Sequence, residues 1–285
     1  MCNVKENLDK NINPCYFTNK TKVHFIIIYE VIMSKIIALA GCFYFFFSSL
    51  LLGAEQEIEY VWIYNQKVYS IKLELSESLN QVYQKMPNKH RSTQKVEDYY
   101  EGIMTSEKGD NTMRMVAMKV LEAAMLAKIN NPNRQLDFIM AFIQFAIQSD
   151  IEKAKKVIQG KDFRYKTPYE TLFSQSGLCL EKCLLAIAII RQTGYWGSCL
   201  LYYPEACPKA GHTAVGIACP TSQSLYNSGY CYAETMLPLP IGAMPRVNDD
   251  CTISIDGRES VSGNISKLGK VNTLLIMQGR VLYTR

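Results

Sequence analysis

The sequence predicts an α+β fold in which a helix starts at a cysteine and packs on an antiparallel sheet, preceded by a hairpin and further helices. Three observations carry this expectation. Glu57 to Leu75 alternates apolar and polar residues about Asn65-Gln66, the pattern of two strands joined by a tight turn. Cys179 heads an apolar-periodic run through Leu184, Ile187, Ala188 and Ile190 that stops at Gly194, a helix with glycine just past its end. Finally, a strand beginning at His212 and another ending at Glu234 are separated only by a short connection from Pro220 to Gly229, which brings them side by side.

The elements follow in chain order. Ile36 to Ala54 carries no charge and is flanked by Lys35 and by Glu55, Glu57 and Glu59. A run of this length serves as an export signal or a membrane anchor. Met33-Ser34-Lys35 suits the start of a cleaved signal peptide and Gly53-Ala54 its cleavage site, with residues 1–32 then an upstream extension. Leu39-Ala40-Gly41-Cys42 has the form of a lipobox, although the strongest apolar run lies after its cysteine. Each reading puts the remainder of the chain outside the cytoplasm, because Lys35 lies on the inner flank. Membrane association is expected only through residues 36–54.

Residues 55–100 then read as the hairpin followed by polar helical and loop sequence broken at Pro87. Met113 to Lys128 predicts an amphipathic helix whose stripe of Met115, Met118, Leu121, Met125 and Ile129 fills core. Asn130-Asn131-Pro132-Asn133 stops it, and a more apolar helix is expected from Gln135 to Gln148. A charged loop is read from Asp150 to Lys166, and Thr167-Pro168 opens another short helix. Short strands are expected at Ile253–Ile255, Thr273–Met277 and Val281–Tyr283. No repeat or low-complexity linker divides residues 101–285, so they are read as one domain with its core at about 135–245.

Composition removes several classes of function. The chain has 285 residues, 48% hydrophobic and 20% charged, which is ordinary for a globular protein. A net charge of +5 without a basic block interleaved with aromatics gives no footprint for nucleic acid. No glycine-rich phosphate loop follows a strand, and Cys179-x3-Cys183 lacks a second pair for a metal, so neither cofactor nor metal is expected. Outside the leader seven cysteines remain: Cys179, Cys183, Cys199, Cys207, Cys219, Cys231 and Cys251. In an oxidising compartment three disulfides among the others would leave Cys179 as the free thiol, while buried reduced cysteines are the simpler alternative.

At a helix N-terminus the dipole and free N–H groups favour a thiolate, which makes Cys179 the candidate nucleophile. Cys183, one turn deeper, is read as core. Of the three histidines, His24 lies in the leader and His90 in a polar stretch, so His212 is the candidate base. Tyr230, Tyr232 and Glu234 share one strand face, and the Glu234 carboxylate is expected to accept the His212 Nδ1–H.

The segments Gly177-Leu178-Cys179-Leu180-Glu181-Lys182, His212-Thr213-Ala214-Val215-Gly216-Ile217 and Tyr232-Ala233-Glu234-Thr235 together resemble the transglutaminase-like superfamily, the papain-like thiol fold. They are most similar to its bacterial and archaeal group with Gly-Asp-Cys-Glu-Asp, His-x-Ala-Val-Gly-Val and Tyr-Ala-Glu-Thr elements. Tyr165 to Leu172 and Ile190 to Tyr195 are also similar to that group, so the likeness spans about residues 135–245. The chain departs from the pattern at Leu178 and Lys182, where the group has acids, and carries an extra residue, Leu180.

The resemblance implies a catalytic trio of Cys179, His212 and Glu234 acting on a peptide or glutamine carboxamide through an acyl-thioester, which passes to water or to an amine. The Cys179 N–H is expected to supply half of an oxyanion hole, and Gln175 a side-chain donor. The partner implied is a protein or peptide substrate. A second class of function is a catalytically silent binding or assembly module, suggested by the departures and by aromatics at Tyr195-Trp196 and Tyr202-Tyr203.

Overall fold

In the computed structural model β1 (Glu55–Tyr64) and β2 (Lys67–Ser76) pair antiparallel along their whole length, from Glu55 opposite Ser76 to Tyr64 opposite Lys67. The residues described are 55–86, 99–100, 102–103, 111–161, 164–194, 197–203, 211–224, 228–247, 253–254 and 273–275. All of them belong to the compact unit Ala54–Arg285. The leader readings, Cys207, Cys251, Tyr195-Trp196 and Val281–Tyr283 lie outside the described residues. Among the described residues no helix is long and apolar enough to cross a membrane.

Asn65 and Gln66 both have positive φ, 48° and 61°, the turn geometry whose twist matches that of the strands it joins. The alternation gives the hairpin one buried face, with Tyr60, Trp62, Leu73 and Leu75 almost fully covered. Helix α1 (Glu77–Lys85) follows at once, its N-cap Ser76 accepting the Leu79 N–H.

Two 15-residue helices, α2 (Thr112–Leu126) and α3 (Pro132–Ala146), build the next layer. The connector ends one helix and starts the other: Asn131 caps α3 by accepting the Arg134 N–H, and Pro132 takes the first turn, where its missing N–H costs nothing. The α2 stripe differs from the expected one. Its buried residues include Met113, Val116, Ala117, Val120 and Ala124, whereas Met118 and Met125 are 62% and 56% exposed. Of the expected stripe Ile129 is buried and Met115 and Leu121 pack partly on the core, while small and branched residues let the helix lie close to its neighbours and Met118 and Met125 turn outward.

After β3 (Gln148–Ser149) the expected charged loop contains a helix, α4 (Ile151–Ile158), capped by Asp150 accepting the Lys153 N–H. None of its residues is buried, although Ile151, Ala154, Val157 and Ile158 recur at helical spacing; the density of charge around them is what made the segment read as a loop. Helix α5 (Pro168–Phe173) has a reciprocal cap: Thr167 Oγ1 accepts the Glu170 N–H, and Glu170 accepts the Thr167 N–H. Tyr60 donates to Leu172 O at 2.8 Å and the Ser76 N–H donates to Tyr169 Oη at 2.8 Å, so the hairpin is bolted to α5.

A two-residue strand, β4 (Ser176–Gly177), pairs in parallel with β3 and leads into α6 (Cys179–Thr193). That helix runs through the centre of the core, with Cys183 to Ile190 buried, and ends at Gly194 with φ 69°. It packs against an antiparallel sheet of order β10-β5-β6-β7, formed by β5 (Ser198–Tyr203), β6 (His212–Ala218), β7 (Tyr230–Ala233) and β10 (Thr273–Leu275). A separate small pair joins β8 (Arg246–Val247) to β9 (Ile253–Ser254). Gly216 on β6 has no room for a side chain: a Cβ there would stand 2.4 Å from Cys199 Sγ on β5. Helices gathered on one antiparallel sheet make this an α+β fold.

Candidate active site

The approach to Cys179 is fixed before the helix begins. Gln148 N–H donates to Gln175 O at 2.7 Å and Asp150 N–H to Gly177 O at 3.1 Å, while Lys166 Nζ reaches Asp150 and Ser176 O. Gly177 leaves no space for a larger residue, since a Cβ would come within 3.0 Å of Thr171 and 3.2 Å of Glu181. Leu178, the residue at the cap, has no acceptor to offer. Its own N–H donates to Glu181 Oε2 at 2.9 Å, and Glu181 also accepts from the Lys166 N–H and pairs with Lys153. Glu181 is therefore a buried anchor for the first turn, with Lys153 balancing its charge.

Cys179 is half-buried at the first position of α6, where its N–H has no partner within the helix. His212 opens β6 and is 3% exposed; Glu234, just past β7, is fully buried. The structure brings these three side chains together. His212 hydrogen-bonds to Cys179 on one side, and its Nε2 lies 3.2 Å from Glu234 Oε2 on the other.

Here the expected geometry is corrected: the carboxylate takes Nε2, not Nδ1. The register is the reason. Val215 faces Ala233, so Glu234 stands opposite Ala214 and only diagonally from His212. From there the far nitrogen of the ring is the one within reach.

Glu234 is saturated with donors. Oε2 accepts from Tyr232 Oη at 2.5 Å as well as from His212, and Oε1 accepts the backbone N–H groups of Thr235 and Met236, each at 2.8 Å. Tyr232 Oη also lies 3.1 Å from His212 Nε2, so the phenol sits between base and acid. The main-chain carbonyl of Glu234 is held in turn by Gln144 Nε2 at 3.0 Å.

The electrostatics follow from these contacts. Burial pushes the Cys179 thiol up, but the His212 hydrogen bond and charge, with help from Thr213, outweigh it and hold the thiol below its ordinary range. Burial opposes a charge on His212, yet the Glu234 carboxylate and the bond to Cys179 carry it to about 10. Glu234, despite its burial, is kept below the usual carboxylate range by the His212 charge and by its donors. Together these directions describe a thiolate–imidazolium pair backed by a carboxylate.

Other expected features fall elsewhere. Gln175 is not turned to this site through its amide, whose Nε2 donates to Glu59 O at 2.8 Å and ties the bend to the hairpin; the residue itself has φ 48°. Cys219, just after β6, is disulfide-bonded to Cys231 on β7. Cys183 and Cys199 are buried free thiols, so three disulfides among the six other cysteines do not form. Cys183 belongs to the main apolar cluster and Cys199 to the smaller one on the sheet. Tyr203, counted among the exposed aromatics, is fully buried. Among the described residues no cluster of side chains is arranged to hold a metal. The sequence names Tyr232 only as a face-mate of Glu234 and Lys182 only as a departure from the family pattern, without a role at the site for either. The alternation that puts Tyr232 on the face of Glu234 was signal enough for the first.

Residues 115–226 match the family described as Transglutaminase-like domain. The matched span includes Cys179 and His212 and stops before Glu234. A solved structure described as "Crystal structure of a TGase" aligns over 48% of this chain and 36% of its own, with 13% identity and a TM-score of 0.32. The alignment thus spans little more than a third of that structure's length. No curated protein matches the chain.

Proposed function

Since the chain belongs to the transglutaminase-like superfamily through residues 115–226, we propose that it is a thiol acyl-transfer enzyme using Cys179, His212 and Glu234. The observation that carries this reading is His212 bridging the half-buried sulfur at the start of α6 and the buried carboxylate beyond β7. In the first half-reaction the Cys179 thiolate attacks the carbonyl carbon of a peptide or glutamine carboxamide, forming a C–S bond. The oxyanion collapses, the C–N bond breaks, and the leaving amine takes the proton from imidazolium His212. In the second, neutral His212 accepts a proton from water or an amine as that nucleophile attacks the thioester, and the thiolate leaves. Glu234 stays ionised, fixing the ring through Nε2. The Cys179 N–H, free at the helix start, is placed to donate to the oxyanion.

We also assign the domain to an extracytoplasmic compartment, secreted, periplasmic or membrane-anchored. The Cys219–Cys231 disulfide supports this, because such bonds persist where thiols are not kept reduced. The buried Tyr203 removes part of the motive for a silent binding module.

The direct test is single-turnover capture of an acyl-thioester from a glutamine-containing peptide. Cys179→Ala should abolish it and His212→Ala should slow it by about a hundredfold or more. Undiminished turnover by Cys179→Ala sinks the mechanism. For location, the domain should be found in the medium or be cleaved by protease once the outer envelope is permeabilised with the inner membrane intact; protection until the inner membrane is lysed overturns the assignment.

A further inference from the structure

The charged residues buried in this domain are not all paired alike. Glu170 pairs with Arg164 and Glu181 with Lys153, each with its own cation. Lys182 is 1% exposed and its Nζ donates to Ile147 O at 2.7 Å, but no carboxylate of the described residues lies within 4.0 Å of it. An ammonium withdrawn from water without a close counter-ion is expensive, and proteins seldom retain one without a compensating charge nearby.

The compensation lies in the site. Lys182 is three residues after Cys179 on α6, on the same side of the helix. Its head reaches the carbonyl at the end of α3, one turn beyond Gln144, which holds the main chain of Glu234. Next to it Cys183 Sγ lies 3.5 Å from the hydroxyl of Thr235, the neighbour of Glu234. The lysine head and the main chain that carries Glu234 are therefore both anchored on the last turn of α3. The titratable groups that face Lys182 are Glu234, Cys183 and Cys179. Burial pulls its ammonium down and those groups push back, leaving it near 8. Thiolate, imidazolium and carboxylate together bear one negative charge, and Lys182 is the cation that cancels it.

We propose that Lys182 is a positioning residue of the site: its buried ammonium balances the net negative charge of the trio and holds Cys179 and Glu234 in their ionised forms. This rests on the thiol reading given above. The competing explanation is structural, a lysine that merely caps the C-terminal carbonyls of α3.

The test is the pH dependence of Cys179 alkylation by iodoacetamide in the full chain, read on the Cys179 peptide by mass spectrometry. The variants are Lys182→Met, Lys182→Gln, Lys182→Arg and His212→Ala. Methionine removes both charge and donor, glutamine keeps a donor for Ile147 O, and arginine keeps the charge. The acid limb should move up by about one pH unit in Lys182→Met and Lys182→Gln, lowering reactivity about tenfold at pH values below the parent's limb, and stay near the parent in Lys182→Arg. An unmoved limb in a folded Lys182→Met or Lys182→Gln protein overturns the proposal and leaves only the cap. If neither charge-removing variant unfolds cooperatively, Lys182 is a structural element of the α3–α6 junction and the proposal is likewise abandoned. A parent that titrates as an ordinary thiol, indifferent to His212→Ala, sinks the thiol reading and this proposal together. A limb moved by His212→Ala but not by loss of the lysine charge sinks this one alone.

Discussion

Tyr232 contributes one hydrogen bond to a fully buried carboxylate, and that bond is both short and unreplaceable from solvent. Tyr232→Phe keeps the ring that packs edge-on against Tyr203 at 6.0 Å and deletes only the donor. The expected loss is about 2 kcal/mol, the range for a buried bond to a charged group. Urea denaturation at pH 7 measures it; a change under about half a kcal/mol means that Glu234 does not depend on the phenol. The residues of the trio were legible because each heads or ends a periodic run, a place where a side chain is presented rather than packed. The choice of ring nitrogen was not legible, since it turns on a diagonal offset between β6 and β7 that only the register supplies. Lys182 was harder still. One lysine amid apolar helix residues looks like a surface position until the helix is seen to be enclosed on every side.

At the scale of elements, what could be read depended on how each one is stabilised. The helix at Cys179–Thr193 has a start, an apolar run and a glycine in the left-handed conformation at its end, so its bounds follow from local chemistry. The α+β class followed from the same helix together with alternating strands. Helix α4 is the opposite case: with no buried residue it rests on the Asp150 cap and on solvent-side pairs such as Lys155–Glu152 at 2.8 Å, and its short stripe of Ile151, Ala154 and Ile158 is hidden among charges. The methionines of α2 misled for a related reason. Helical spacing was present on two faces, and the face that packs is the one with valine and alanine, where close approach to α6 outweighs side-chain size. The pairing of β3 with β4 was invisible, because two residues on each side carry no pattern; only the backbone bonds around Gln175 and Gly177 reveal it. That small feature sets where Cys179 stands.

The whole molecule should report the state of its site through the pH dependence of its stability, and the sign can be worked out proton by proton. In the unfolded chain Cys179 titrates near 9.0 and His212 near 6.5. In the fold the thiol is lowered and the imidazole raised to about 10. The lowered thiol adds stability that grows as pH rises from its folded value towards 9, and the raised imidazole loses stability as pH rises from 6.5 towards 10. Where the two windows overlap the opposing slopes cancel, because the proton only moves between sulfur and ring. From about 9 to 10 the folded pair alone keeps its proton, and stability falls. Glu234, lowered in the fold, adds stability above its unfolded value near 4.5 that is lost on acidification. Cys179→Ala removes the compensating thiol and leaves the raised His212 facing Glu234. Its contribution is then full below 6.5 and declines as pH rises above that value, by up to about 1.4 kcal/mol per pH unit. Lys182, lowered to about 8 from 10.5, adds an opposite slope above pH 8; the Cys179 charge helps to hold it up, so in the variant that slope begins lower and offsets part of the fall. Urea midpoints for parent and Cys179→Ala between pH 6 and 9 should therefore diverge, the parent holding its stability while the variant loses it. Parallel curves would mean that sulfur and imidazole do not share a proton in the folded state, however close the structure brings them.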